Sequence, residues 1–295
     1  MLKRKKIIAI IILLISLSSY LLFAATNALK DEKRILENRK IIYSKCQEII
    51  KNNDNNTDDY ESCNNFISEY NEEKLSFFSV FSSTTIDYVN HLALIMIIIV
   101  NVFGIIWINK VLKNKYILNY YTRCSSKNFI KTLIKESYVY ILPIILSFMI
   151  CIVYIYSNTT LEMTQLSINN SFWSISWMNH PYLFIILYLL QLSLFLGTYI
   201  NLGLIMSRRN YNYILSLIST YLLFLGIQLI DEIILGKIFK LKYSLSIANC
   251  FIFDDSYGIT LPLIFPIVLF LITFIIVILI YNNKEKLYLD CEKNN

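Results

Sequence analysis

The chain has 295 residues, of which 56% are hydrophobic and 16% are charged, and its formal net charge is +6. Soluble domains carry roughly 25% charged residues, and a transmembrane helix needs roughly 17–25 predominantly apolar residues in a row. Several uninterrupted apolar runs of that order exclude an ordinary soluble protein and the alternating pattern of a membrane β-barrel. We therefore expect an all-α, polytopic membrane protein.

Six apolar segments that lack Asp, Glu, Lys and Arg are predicted to cross the membrane within a single domain, residues 1–295. They are, in chain order, residues 7–25, 91–108, 138–156, 183–206, 213–230 and 261–281. The first span follows the basic residues 3–6, as a signal peptide would. Its apolar run is longer than a typical signal core, so we expect a retained helix.

The basic residues predict the orientation of the spans. Residues 3–6 are basic, residues 109–137 carry many Lys and Arg against the single acid Glu136, and Arg208 and Arg209 follow span four. The alternate loops are neutral or acidic in balance: residues 26–90, 157–182 and 231–260. The positive-inside rule then places both termini in the cytoplasm. Frequent Ile, Asn, Lys and Tyr are typical of an AT-rich bacterial genome, so we expect a bacterial plasma membrane.

The largest loop, residues 26–90, is predicted to be an extracytoplasmic helical hairpin between helices one and two. Apolar residues recur at helical spacing on both sides of the turn-forming stretch NNDNNTDD, residues 52–59, and the first arm is expected to continue from span one. Cys46 and Cys63 fall on the two apolar stripes at similar heights above the turn. An outer compartment permits a disulfide there, which would contribute about 3 kcal/mol. The alternative is two small buried apolar residues.

The segment 109–137 contains the sequence YYTRCSSKNFIKTLIKES, residues 120–137. The serine pair interrupts the helix that follows span two, and Ser125 or Ser126 is predicted to cap the next helix. From there one side is apolar and the other is basic: Phe129, Ile130, Leu133 and Ile134 against Lys127, Lys131 and Lys135. This pattern is typical of an amphipathic helix on the inner leaflet. Orientation of the spans and attraction to anionic lipid account for part of this charge, at about 1 kcal/mol for each cation near the leaflet. They do not explain why the cations are split around a turn, which can instead dock in a groove of a cytosolic partner.

This layout and this loop resemble the permease subunit of an ATP-binding-cassette transporter of the type-2 exporter class. That class is similar in its six spans, inner termini, enlarged first outer loop and a coupling helix between spans two and three. The resemblance implies a cytosolic ATPase partner, a second permease copy or a sibling permease, and export of an amphipathic peptide, a lipid-like compound or a drug. It also implies these ATPase contacts: Tyr120, Tyr121, Thr122, Arg123, Ser125, Ser126 and Lys127.

Catalytic motifs are missing from the sequence. It contains no G-x-x-x-x-G-K-[ST], H-E-x-x-H or G-x-S-x-G pattern and has two histidines. We therefore expect no enzyme activity, cofactor, metal or nucleic-acid partner, and we expect ATP hydrolysis to come from a separate subunit. Two alternatives stay open. One is a non-transporting sensor or immunity protein that binds a peptide through its outer loop, and the other is a membrane enzyme acting on lipids through Asp254 and Asp255.

The spans lack the intramembrane ionisable residues that are typical of proton-coupled pumps and ion channels. Their polar side chains are instead amides and hydroxyls: Asn101, Gln191, Thr198, Asn201, Ser216, Ser219 and Gln228. We expect most of them to form hydrogen bonds between helices, worth about 0.6 kcal/mol each, rather than a substrate site.

Overall fold

A computed structural model gives the structure of the chain. It describes residues 2–51, 58–69, 74–113, 125–161, 180–209, 212–231, 233 and 261–282. Within these ranges the regular elements are helices, and the one pairing of extended residues is an isolated bridge between Ser76 and Thr160. The all-α prediction is confirmed.

The described ranges form nine α-helices and one π-helix. They are α1 (Leu2–Lys51), α2 (Asp58–Glu69), α3 (Phe77–Ser83), the π-helix Thr84–Val89, α4 (Asn90–Lys113), α5 (Ser126–Tyr138), α6 (Ile141–Asn158), α7 (Pro181–Arg209), α8 (Tyr213–Asp231) and α9 (Leu261–Asn282). Five helical stretches are long and apolar enough to cross a membrane, in α1, α4, α5 with α6, α7 and α9, while the apolar stretch of α8 is shorter. The chain is a multi-pass membrane protein.

The predicted third span, residues 138–156, is interrupted near its start by a break between two helices. Tyr138 ends α5, a turn at Val139 and Tyr140 follows, and α6 begins at Ile141. Pro143 explains the break. Its ring would clash with the carbonyl of residue 139 in a continuous helix and it has no N–H to donate, but a proline is tolerated in the first turn of a new helix. The other five predicted spans each lie within one helix.

The helix α1 is far longer than span one. It has 50 residues, which at 1.5 Å per residue is about 75 Å, more than twice the roughly 30 Å hydrocarbon core of a bilayer. After the basic residues 3–6, its first half is apolar, with exposed side chains such as Ile8, Ile12 and Ile15. Its second half carries most of its charges. Span one therefore continues without interruption into the polar segment that follows it.

The helix α3 corrects one expectation about residues 26–90, which were predicted to lie outside the bundle. Every residue from 77 to 82 is buried, and the Phe78 and Phe81 rings pack against Phe184 of α7 at 6.0 and 6.3 Å between centroids. The reason is composition, because four of the five residues in the sequence FFSVF, residues 77–81, are large and apolar, and the helix is too short to span a membrane. Backbone hydrogen bonds join this segment to α6 through Thr160.

The helix α7 is the centre of the bundle and packs against α4, α6, α8 and α9. Glycine allows two of these approaches. A Cβ atom at Gly203 would lie 2.7 Å from Cγ2 of Ile105, and one at Gly197 would lie 2.7 Å from Cε2 of Phe270. Small residues at such positions let helix backbones come close, which is a main source of packing energy between helices in lipid.

Polar contacts define the two ends of the bundle. One end, here called the basic end, carries an ion pair between Lys6 and Glu136 at 2.6 Å and a hydrogen bond from Asn109 to the Ser207 hydroxyl at 3.1 Å. At the opposite end, here called the far end, the Thr160 backbone pairs with Leu75 and Phe77. The start of α1, the end of α4, all of α5 and the end of α7 thus share the basic end.

Candidate functional site

Three of the predicted ATPase contacts lie at the basic end, in and just before the first turn of α5. Ser125, Ser126 and Lys127 fall within the described residues. The other four predicted contacts lie outside them: Tyr120, Tyr121, Thr122 and Arg123. The described part of the candidate site is therefore the start of α5.

Ser125 is the residue that caps α5. Its backbone is extended, with φ of −68° and ψ of 153°, and its hydroxyl oxygen accepts a hydrogen bond from the Asn128 backbone N–H at 3.4 Å. Ser126 becomes the first residue of the helix. The predicted helix start is confirmed, and of its two candidate caps the structure selects Ser125. Such a cap satisfies one of the backbone N–H groups that the first turn of a helix leaves without a partner.

The lysine side of α5 is exposed and its apolar side is buried. Lys127, Lys131 and Lys135 are exposed, whereas Phe129 and Leu133 have no exposed surface. The predicted two-sided pattern is confirmed. Three cations at successive turns of one helix form a basic surface that faces away from the protein, and we call it the lysine face.

Phe129, on the apolar side of α5, packs against neighbouring helices. The Phe129 ring packs against Trp107 of α4 at 6.0 Å and against Tyr281 of α9 at 6.2 Å between centroids. A side chain enclosed by two other helices has no surface left for lipid. The physical reason is that the aromatic rings of Trp107 on α4 and Tyr281 on α9 lie beside Phe129 and form an apolar surface for it.

The last residue of α5 is tied into the middle of the bundle by a polar chain. The Tyr138 hydroxyl donates to Oδ1 of Asn201 on α7, and Nδ2 of Asn201 donates to the Thr273 hydroxyl on α9 at 3.1 Å. Asn201 is fully buried. A buried network whose groups are all paired holds one arrangement of its helices, so a displacement of α5 would be transmitted to α7 and α9.

The start of α1 is held against the same helix. Nζ of Lys6 lies 2.6 Å from Oε2 of Glu136 and 5.5 Å from the centre of the Tyr140 ring. Both charged side chains are about a quarter exposed, at 23% and 29%. A pair of this exposure contributes about 1 kcal/mol or less. Its effect is to orient α5 more than to stabilise it.

Beyond the membrane-crossing part of α1, the structure brings the two predicted cysteines together. Cys46 of α1 and Cys63 of α2 form a disulfide, with their Cα atoms 5.0 Å apart. The same two helices make a second contact, in which the Arg39 guanidinium lies 5.7 Å from the centre of the Phe66 ring. The predicted turn, residues 52–59, lies mostly outside the described residues. The disulfide fixes α2 alongside the last turns of α1.

The sequence analysis did not single out the buried polar residues Glu32 and Tyr188, and its expectation of hydrogen bonds between helices is not met at Gln191 within the described part of the chain. Glu32 of α1 is 3% exposed, and its Oε1 accepts a hydrogen bond from Ser83 at 2.9 Å. Tyr188 and Gln191 of α7 are as deeply buried and have no hydrogen-bond partner among the described residues. Their residue types are visible in the sequence, but whether each side chain finds a partner depends on neighbours from distant parts of the chain.

The described residues also bear on the metal sites and acidic residues considered in the sequence analysis. They contain no group of three or more His, Cys, Asp or Glu side chains that would hold a metal ion. Asp254 and Asp255, the acids of the lipid-enzyme alternative, lie outside the described residues. The arrangement at the basic end offers charge, a capped helix start and mechanical connection into the bundle.

Comparison with known proteins gives no relative from which a function can be transferred. No protein-family model, no curated protein and no solved structure matches this chain. The function must therefore be argued from the chain itself.

Proposed function

We propose that this chain is the permease subunit of an ATP-driven transporter of the ATP-binding-cassette type. In this proposal six helices cross a bacterial plasma membrane with both termini in the cytoplasm, and α1 and α2 form a helical hairpin on the outer side. The chain pairs with a second permease copy or a sibling permease and exports an amphipathic peptide, a lipid-like compound or a drug. It hydrolyses nothing itself, and separate ATPase subunits bind at the basic end.

The observation that carries the proposal is the construction of α5. Its apolar side is fixed by Phe129 between α4 and α9, and its lysine face remains exposed. Its last residue, Tyr138, connects to Asn201 in the central helix. A helix used only to bind lipid would need its apolar side free. A helix that transmits a movement of a bound partner needs its apolar side packed against other helices, an exposed surface for the partner and a contact with the central helices.

Charge reversal at and just before the start of α5 tests the proposal. Arg123→Glu combined with Lys127→Glu should abolish co-purification of a P-loop ATPase with the tagged chain from its native host in mild detergent. The retained proteins are identified by mass spectrometry. The matched control is Lys40→Glu combined with Lys45→Glu, which reverses two exposed cations on the second half of α1. The control should retain the ATPase, and membrane insertion should be unchanged in both variants.

Retention of the ATPase by the Arg123 and Lys127 variant, or loss of it in the control alone, would contradict the proposal.

A second function is favoured by one specific feature, the disulfide between Cys46 and Cys63. It builds a rigid outer element of the kind that a non-transporting sensor or immunity protein would use to bind a peptide. In that case deletion of residues 52–59 should abolish function, and charge reversal at the basic end should leave it intact.

A further inference from the structure

Three buried side chains of α7, those of Tyr188, Gln191 and Tyr199, hold polar atoms for which the described residues offer no hydrogen-bond partner. Tyr188 and Gln191 are the two in the half of the helix nearer the far end. Tyr188 is 2% exposed and Gln191 is 1% exposed. In Tyr188 the unpartnered atom is the hydroxyl oxygen, and in Gln191 both the amide nitrogen and the amide oxygen are unpartnered. A buried polar group without a partner destabilises the folded state, so the three such atoms of Tyr188 and Gln191 require a physical reason.

These atoms belong to one face of α7. Residues 184, 188, 191 and 195 recur at the spacing that places side chains on a common side of a helix. The Tyr188 ring lies 5.1 Å from Phe81 of α3 and 6.0 Å from Phe148 of α6, between centroids. Tyr188 therefore sits in the aromatic layer beneath α3, and Gln191 lies one turn closer to the basic end.

The residues of this aromatic layer indicate which kind of ligand would supply the missing hydrogen-bond partners. A primary amide with a free donor and a free acceptor matches a second amide, which presents one of each. The rings of Phe81, Phe148 and Phe184 around Tyr188 suit an apolar side chain. The buried hydroxyls of Ser79 and Ser82 on α3 are also unpartnered among the described residues. A peptide segment with an apolar side chain combines these features, whereas an ion would need opposite charge.

We propose that Tyr188 and Gln191, with the aromatic rings beneath α3, bind an uncharged segment of a peptide. The Gln191 amide pairs with a backbone N–H and C=O of that peptide, and the Tyr188 hydroxyl donates to a further backbone carbonyl. The helix α3 covers the site at the far end and moves aside for entry or release. This assignment rests on the proposed function in one respect, namely that the bound peptide is the cargo.

Photo-crosslinking to the purified full-length chain tests the site without an ATPase. The probe is acetyl-Leu-Phe-amide with a diazirine on the Phe ring, and its partner probe carries a methyl group on the nitrogen of the Leu–Phe bond. Crosslinking should be saturable and at least about tenfold weaker for the methylated probe. Gln191→Leu and Tyr188→Phe should each weaken binding about tenfold or more, since each loses a hydrogen bond made in a buried site.

Thermal stability separates a binding role from a structural one. Both variants should melt at or above the temperature of the unchanged chain, because each removes a buried polar atom that has no partner in the free protein. The matched control is Tyr199→Phe, which removes an equally unpartnered hydroxyl on α7 that lies instead against Phe224 of α8, 4.9 Å between ring centroids. The control should bind the probe as the unchanged chain does.

Equal crosslinking by the two probes, absence of saturable crosslinking, or unchanged binding in both variants would overturn the site. A lowered melting temperature in both variants would also overturn it, because it would show that these atoms already have partners, such as bound water, in the free protein. Since no ATPase takes part, any of these results leaves the co-purification test of the proposed function unaffected. Loss of the ATPase interaction likewise leaves this test unaffected.

Discussion

Single residues decide how closely the central helices approach. Gly203 of α7 faces Asn101 and Ile105 of α4. In return Gly104 of α4 faces Ile200 of α7, where an added Cβ atom would lie 3.2 Å from Cγ1. Each helix thus omits a side chain opposite a β-branched residue of the other. Because β-branched side chains are stiff at χ1, the neighbour has little freedom to give way.

Gly203→Ala should therefore destabilise the chain by about 1–3 kcal/mol through overpacking. The matched control is Gly226→Ala on α8, where an added Cβ atom meets nothing within 4 Å. The control should be neutral or up to about 1 kcal/mol more stable, since alanine favours a helix over glycine. Melting curves read by fluorescence-detected size exclusion will compare the two. Equal melting temperatures would show that α4 and α7 do not approach as described.

At the scale of the element, α5 is a short helix fixed on one side and exposed on the other. Its seat consists of rings from α4 and α9 around Phe129, and its end connects through Tyr138 to α7. Its start is set by the Ser125 cap. The lysine face contributes little to its folding, because exposed cations on a helix surface seldom change stability by more than about 0.5 kcal/mol.

Phe129→Ala should separate these two sides of α5. The loss of a fully buried ring should cost about 3 kcal/mol and should expose the helix to limited trypsin digestion at its lysines. Lys131→Ala, the control on the lysine face, should change stability by less than about 0.5 kcal/mol. Proteolysis followed by mass spectrometry measures the effect. Equal resistance of α5 in the two variants would show that Phe129 does not hold this helix.

The sequence predicts some elements well because their signals are local. The spans are visible as runs without charge, and the start of α5 is visible because serine oxygen is a preferred cap for free backbone N–H groups. The burial of α3 was missed because residues 26–90 are polar on average, although residues 77–81 are apolar. The linkage of Tyr138, Asn201 and Thr273 was not predictable as a set, since it joins three segments far apart in the chain.

At the scale of the whole molecule, the distribution of charge and the packing of the helices both distinguish two ends of the bundle. Lys6, Lys110, Lys127 and Arg209 lie at the basic end, where α5 is seated. The disulfide between Cys46 and Cys63 lies beyond the membrane-crossing part of α1. The proposed function requires that the basic end faces the cytoplasm, where ATP is available, and that the disulfide faces outward.

Cysteine accessibility in intact cells tests this requirement most directly. Lys131→Cys and Lys40→Cys are each made in a chain whose Cys124, Cys151, Cys250 and Cys291 are replaced by serine, and both positions are exposed in the structure. A membrane-impermeant maleimide should label Cys at position 40 in intact cells and should label position 131 only after permeabilisation. Labelling of position 131 in intact cells, with position 40 protected, would contradict the account, because an ATPase in the cytoplasm would then have no access to the lysine face.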